Sequence, residues 1–397
     1  MFNAGLLEGT PSFSDGAQCW GDAKGTLLST VTRDANRGLV PMTVQHTIRN
    51  EDKTSWGMHW RATKSGYNGI DVATHTNISD DDKGLTPARK DVCPNMHRFR
   101  DKNHRKKNCA EKAGVRSAGA EAYEHAVYAY SERRLEWAKS NMNTATKEYL
   151  GKAPDEEQYL RSAFLAGKHV RGHATSNEIE SWNNAQNASG LRNSSPLKMM
   201  EIAVSNCDKF LNEKHAEAMK VNDAAPPRVR KWLLSGGELG KNAKDYEVLS
   251  WQGFGQRIAR VIHRAYPESV YIANLNDGTC TCCRPQVVEG PFCVHLTTSA
   301  NTAQFDLTHH LKPWDTTARL RAQYEKAMAG RTNIIPPSTA DLALMPKQPL
   351  KKPAAVPRKP GRPADECRQM SALEMATNKN KCKVCGLYGH KPGSKKC

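Results

Sequence analysis

The sequence predicts an α/β protein that carries small metal-stabilised modules toward its C-terminus. Three observations lead there. Strand-like and helix-like segments alternate over residues 1–100, residues 110–165 turn to a helical composition rich in Ala, Glu, Lys and Tyr, and cysteine and histidine then gather at metal-ligand spacings in the last third.

Taken in order, Thr26-Leu-Leu-Ser-Thr-Val31 reads as a strand, and Asp34-Ala-Asn-Arg-Gly38 supplies turn chemistry. Leu39 to Ile48 reads as a second strand broken by Pro41. Ser55 to Lys64 reads as a helix with Trp56 and Trp60 on one face. Ile70 to Ile78 reads as a third strand that ends at Ser79-Asp80-Asp81-Asp82. Further on, Tyr123, Val127, Tyr130 and Trp137 recur at helical spacing and read as core packing. Ser195-Pro196 is an N-cap followed by proline at the first helical position. The face of that helix is read as Leu197, Met200, Val204, Cys207 and Leu211, with Cys207 a buried hydrophobe and not a ligand. From about Ala329 through Lys359, Pro, Lys and Ala dominate, a composition that cannot bury a core and acts as a tether.

Bulk properties narrow the partners. A chain of 397 residues holds two or three domains. Lys and Arg number 58 against 41 Asp and Glu, a formal charge of +17, which suits a polyanionic partner. Hydrophobic residues make up 38%, low for a single globule of this length, so part of the chain is linker. No run of about 18 apolar residues exists, so no transmembrane helix and no membrane partner are expected. The N-terminus lacks the basic region of a secretory signal, so the 12 cysteines read as metal ligands and not as disulfides.

Cys280-Thr-Cys282, ten residues, then Cys293-Val-His295 can close a tetrahedral Zn²⁺ site. Four soft ligands leave no position open for water, so the site is structural. The pattern resembles the SWIM zinc finger. A strand-like Ser269 to Leu275 precedes it, and a helix is expected after His295. At the end of the chain Cys382-x-x-Cys385, His390 and Cys397 resemble a CCHC zinc knuckle, although the last spacing is six residues where four is usual. Its Tyr388 can stack on a base, which predicts a single-stranded nucleic-acid partner. Between the two modules Arg358, Lys359, Gly361 and Arg362 resemble an AT-hook, which inserts arginine into a narrow minor groove.

Over most of its length the sequence also resembles the Mutator-like element (MULE) transposases. The resemblance runs through Ser14-Asp15-Gly16, Lys24-Gly-Thr-Leu-Leu28, Arg33-Asp-Ala-Asn36, Ser55-Trp56, Ile78-Ser-Asp80 and Thr175-Ser-Asn-Glu-Ile-Glu-Ser-Trp-Asn-Asn184. The SWIM-like finger, Tyr324…Ile335-Pro336, the Gly-Arg-Pro tail and the knuckle follow in the family's order. The resemblance implies an RNase H-like transposase core with an all-α insertion, followed by the zinc modules. In that reading 1–110 begins the core, 111–172 is the helical insertion, and 173–245 ends the core with its following helices. Residues 246–328 then hold the SWIM region, 329–380 the basic linker and 381–397 the knuckle. It further implies that Asp15 and Asp80 are metal-binding aspartates and Glu180 the third acid, with Asp22 and Glu178 as nearest substitutes. They would hold Mg²⁺ or Mn²⁺ for DNA nicking and strand transfer, beside two structural Zn²⁺ ions. DNA is the implied partner, the nucleus the implied location, and self-association is compatible with both. The alternative reading is a transposase-derived transcriptional regulator that binds nucleic acid without catalysis.

Three departures from the family pattern carry expectations of their own. The family's Cys-x-x-His falls here on Arg100 and Asn103. The strand before Asp15, Thr10-Pro-Ser-Phe-Ser, is polar where a central strand is ordinarily apolar. The family's N-terminal zinc domain has no counterpart before Asp15, which implies a truncated, degenerate or repurposed copy.

Overall fold

The computed structural model describes residues 10–19, 24–48, 51–67, 69–81, 84–112, 118–235, 243–252, 257–284 and 292–329. The chain divides into two compact units, 1–334 and 335–397. The AT-hook-like residues Arg358, Lys359, Gly361 and Arg362 lie outside the described residues, as do Tyr388 and the knuckle ligands Cys382, Cys385, His390 and Cys397.

The first unit opens with three antiparallel strands, β1 (Ser12–Cys19), β2 (Gly25–Arg33) and β3 (Leu39–Thr47). After α1 (Lys53–Gly66), β4 (Thr76–Ser79) pairs parallel to β1. After α2 (Leu85–Val92), β5 (His97–Arg100) pairs parallel to β4. The result is a mixed five-stranded sheet of order β3-β2-β1-β4-β5. Helices α3 (Lys102–Lys112), α4 (Ala118–Val127), α5 (Glu132–Ser140), α6 (Thr144–Leu150) and α7 (Leu160–Leu165) follow, then α8 (Asn177–Ala188), α9 (Pro196–Lys220) and α10 (Pro227–Ser235). A second, antiparallel sheet holds β6 (Tyr246–Gln252), β7 (Ile258–His263), β8 (Tyr266–Asn274) and β9 (Thr279–Cys280) in that order. Helices α11 (Val294–Ala303) and α12 (Thr317–Ala329) end the described chain. Among the described residues no helix is long and apolar enough to cross a membrane.

Period-two alternation splits the first sheet into two faces. Phe13, Val31, Ile78 and Phe99 pack with Tyr123, Val127, Leu160, Ile179 and Trp182 from the later helices. Leu28 on the opposite face packs with Trp56, Trp60, Leu85 and Met96. Trp56 and Trp60 are both fully buried and stacked, as their spacing predicts. Asp52 caps α1 by accepting from Ser55 N at 2.7 Å, so the helix starts two residues before the predicted Ser55.

Several expectations are corrected. The strand predicted from Ile70 shortens to Thr76–Ser79, because Ile70 N and His75 N bond back to Tyr67 O and Val72 O in turns. Pro41 does not break β3. It pairs with Val31 at a bulge between Thr30 and Val31, and β3 is an edge strand where a missing N–H is harmless. Trp137 is 55% exposed and stands outside the stripe that buries Tyr123 and Val127. On α9, Leu197 and Met200 are exposed, while Met199 and Ala218 are buried. The helix is rolled by about one residue because α12 and the first sheet claim neighbouring faces, taking Phe210 and Leu211 on one side and Ile202 and Ala203 on the other.

The polar strand β1 is central nonetheless, and a buried hydrogen-bond chain explains how. Asn77 Nδ2 donates to Ser12 Oγ at 3.0 Å and to Ser14 Oγ at 2.9 Å. Ser14 Oγ lies 2.8 Å from Thr30 Oγ1, which lies 2.8 Å from His59 Nε2. At the other end Ser12 Oγ lies 3.1 Å from His75 Nε2. These bonds offset part of the cost of burying polar groups, while Asn77 Oδ1, His59 Nδ1 and His75 Nδ1 are buried with no hydrogen-bond partner among the described residues.

Burial pushes His59 down to about 3 and His75, with His169 nearby, to about 4. Both are neutral in the folded chain, whereas in the unfolded chain they protonate below about pH 6.5. The unfolded state therefore binds more protons, and stability falls as pH drops through 6.5 by about 1.4 kcal/mol per pH unit for each histidine. Urea unfolding between pH 7.5 and 4.5 is expected to show that loss, and His59→Gln to make it shallower by about 1.4 kcal/mol per pH unit.

Candidate metal centres

Asp15 stands in the middle of β1, on the Phe13 face that α8 covers. The parallel register Phe13↔Ile78, continued by two residues, brings Asp80 level with Asp15 just beyond the end of β4. Glu180 lies in the first turn of α8, on its exposed side. Asp15 feels both of the other acids. Burial and then the charge of Asp80 push Asp15 up to about 6, with Glu180 adding to the rise, while a Gly16 backbone hydrogen bond and His104 oppose it. Partial desolvation and then Asp101 raise Glu180, again against His104. Asn183, one turn along α8, donates from Nδ2 to Asp15 Oδ2 at 3.0 Å. Among the described residues the one group of side chains gathered closely enough to hold a metal ion is the Cys/His group below.

Of the substitutes, Glu178 is already committed. Burial would raise its carboxyl, but a hydrogen bond and charge from His173 and the charge of Arg33 hold it at about 2, with Arg33 Nη2 at 2.5 Å. Asp22 lies outside the described residues.

Asp80 is steadied through its neighbour. Asp81 receives Arg98, Arg100 and Arg105 at 2.6, 2.5 and 3.0 Å. Burial would raise its carboxyl, yet the three guanidinium groups keep it below the usual carboxylate range. Arg98 Nη2 also donates to Asp80 O at 2.6 Å, which fixes the backbone where the second acid emerges.

Arg100 and Asn103 do not face the acids: Arg100 pairs with Asp81 and Glu157, and Asn103 donates to Asn177 Oδ1 at 3.1 Å. Their neighbours Asp101 and His104 do. Buried Asp101 caps α3 through His104 N at 2.7 Å, and its other oxygen accepts from Ser176 N at 2.5 Å and Ser176 Oγ at 2.9 Å. One side chain thus staples the start of α3 to the start of α8 and brings His104 toward Asp15 and Glu180. The sequence reading missed both residues by one position. The signal that could have found them was the N-cap spacing of Asp101 to His104.

The second centre is built by the small sheet. Strand β8 turns through Gly278, whose positive φ of 64° suits glycine, into β9, where Cys280 pairs with Ala273. Cys282 follows on the loop, Cys293 caps α11, and His295 sits in its first turn. The predicted strand and helix around the ligands are both present. Thiol and imidazole ligand atoms of Cys280, Cys282, Cys293 and His295 all lie within 4.8 Å of one another, with Cys280 Sγ 3.6 Å from His295 Nδ1. Hydrogen bonds from Cys280 and Cys293 stabilise a thiolate on Cys282. The same sharing pushes Cys280 up to about 12, and burial raises Cys293. Three enclosed sulfurs and an imidazole are a donor set that a divalent, borderline-soft cation completes, displacing thiol protons. The group is compatible with zinc, and four protein ligands close the tetrahedron. Cys283 turns away with φ 61° and packs against the helical core instead.

Metal analysis by mass spectrometry tests this centre. Cys280→Ser/Cys282→Ser is expected to lose one zinc per chain relative to wild type, and chelation to unfold the small sheet first, because ligand binding there is folding free energy.

The sequence matches none of the known protein-family models, and a search of curated proteins finds no match to it.

Proposed function

We propose that the chain is a zinc-binding, DNA-acting protein whose acidic cluster works as a Mg²⁺- or Mn²⁺-dependent strand-cleaving centre of the MULE transposase type. The observation that carries the reading is that Asp15, on a central strand, feels the charge of Asp80 at the end of the parallel neighbour and of Glu180 on a helix packed over β1 and β2. Three further features support it. The order β3-β2-β1-β4-β5 with β3 to β1 antiparallel and β4 and β5 parallel agrees with an RNase H-like core. Only helices are described between 118 and 165, in the stretch read as the all-α insertion. The net charge of +17 favours a nucleic-acid partner and, with it, nuclear work.

Asp15, Asp80 and Glu180 would hold the divalent ion, which supplies charge neutralisation at a phosphodiester and an activated attacking oxygen. The chain's own groups position the acids. Asn183 sets the rotamer of Asp15, Arg98 and Asp81 fix Asp80, and His104 lies near enough to act electrostatically on Asp15 and Glu180. The alternative is a nucleic-acid-binding regulator without chemistry, which the net charge of +17 serves equally well.

Nicking of supercoiled plasmid in Mg²⁺ decides between them. Asp15→Ala and Asp80→Ala are each expected to lower the rate by about a hundredfold or more while salt-sensitive DNA binding persists. With Mg²⁺ limiting, the wild-type rate is expected to rise about tenfold per pH unit up to about pH 6, as the Asp15 carboxylate forms, and then to level. DNA binding with no metal-dependent nicking in wild type supports the regulator instead.

A further inference from the structure

The Cys/His centre forms one wall of a cavity of about 630 Å³. The facing wall comes from the helical segment, with Tyr130 just before α5 and Arg134 in its first turn, while Tyr246, Tyr271 and Arg284 complete the lining. The surfaces are flat and aromatic. Tyr271 stacks on His295 with ring centroids 3.9 Å apart, Tyr246 meets the same imidazole edge-on at 5.0 Å, and the Arg284 guanidinium lies 5.6 Å from the Tyr130 centroid. Among the described residues neither Arg134 nor Arg284 has an ion-pair partner, and Asp245 is the one acid in the lining.

His295 belongs to the same lining. It is 6% exposed, turns Nδ1 to Cys280 Sγ at 3.6 Å, and leaves a buried Nε2 with no hydrogen-bond partner among the described residues. A histidine that ligates zinc through one ring nitrogen ordinarily donates the other N–H to an acceptor. With tyrosine faces and two arginines in its lining, the cavity suits an occupant that is anionic, flat and of small-ligand size, since pockets of roughly 300–1,000 Å³ enclose single small molecules. A duplex is too wide, whereas one nucleotide unit fits.

We propose that this cavity receives one phosphate-linked base of a single-stranded nucleic acid. The base stacks on the tyrosine walls and the phosphate faces Arg134 and Arg284. The assignment rests on the reading of the chain as a nucleic-acid-acting protein, but it requires no cleavage and is measured without Mg²⁺. A chain that binds strands and never nicks DNA would therefore fail the earlier test and pass this one.

The test is photo-crosslinking of the full-length, zinc-loaded chain to a short thymidine oligonucleotide bearing one 5-iododeoxyuridine, with crosslinked peptides mapped by mass spectrometry. Crosslinks are expected at Tyr130, Tyr246 or Tyr271. Their yield is expected to fall at least about fivefold in Tyr130→Ala and in Arg134→Ala/Arg284→Ala, with zinc content unchanged, and to persist in Tyr130→Phe. Crosslinks confined to residues 330–397, or a wild-type yield in the double arginine variant, would overturn the proposal. Competition by free thymidine monophosphate as strong as by the oligonucleotide would overturn the strand assignment and leave a free-nucleotide site.

Discussion

Strands β1 and β4 are hydrogen-bonded over a short parallel register, Ser12↔Asn77 and Phe13↔Ile78, and the acidic site depends on that register holding. A slip of one residue would turn Asp15 to the α1 face and carry it away from Asp80. The buried Asn77 amide opposes the slip by donating to Ser12 and Ser14 together, and the bond from Ser14 to Thr30 carries the same restraint into β2. The polar network faces α1 and the acids face α8, so one side of two strands fixes the register while the other uses it. Apolar side chains would bury just as well but would not specify a register so sharply, because dispersion is non-directional and hydrogen bonds are not.

Charge is handled differently at the two centres. Around the acids, like charges are gathered and partly desolvated, which raises Asp15 and Glu180. Immediately beside them the opposite arrangement prevails, with Asp81 neutralised by three arginines and Glu178 by Arg33 and His173. These pairs are structural: they clamp β4, β5, α3 and α8 around the cluster, and removing one partner would leave a charge enclosed and unpaired. At the Cys/His centre three sulfurs and one imidazole converge instead. The core beneath it is modest, built largely from Ala, Val and Leu such as Ala259, Val261, Ala273, Leu275 and Leu296. A small sheet of this kind gains much of its stability from a bound ion.

The two regions are also tied through the end of the chain. Tyr324 of α12 donates to Asp34 at 2.7 Å in the β2–β3 turn, and Gln323 accepts from Ala35 N at 2.9 Å. Arg228 N of α10 donates to Asn36 Oδ1 at 2.8 Å in the same turn, while the Arg37 guanidinium lies 3.8 Å from the centroid of Trp232. The turn residues read from the sequence as simple chain reversal therefore also serve as the dock for α10 and α12.

The sequence by itself determined the elements whose signals are local. Trp56 and Trp60 four apart gave a helix face, Ser195-Pro196 a helix start, and Cys-x-Cys with Cys-x-His a ligand set that the fold closes to within 4.8 Å. Ligand spacing is legible because the two halves of the set sit on one hairpin and one helix turn, where short-range geometry is nearly fixed. Only the tertiary structure decided which face of α9 is buried, that polar β1 lies at the centre of its sheet, and that Asp101 and His104, not Arg100 and Asn103, turn toward the acids. Those outcomes depend on partners far away in the chain: α12 for α9, Asn77 for β1, and Ser176 for Asp101. Residue type and spacing fix what a side chain can bond to, whereas packing fixes which of the available partners arrives.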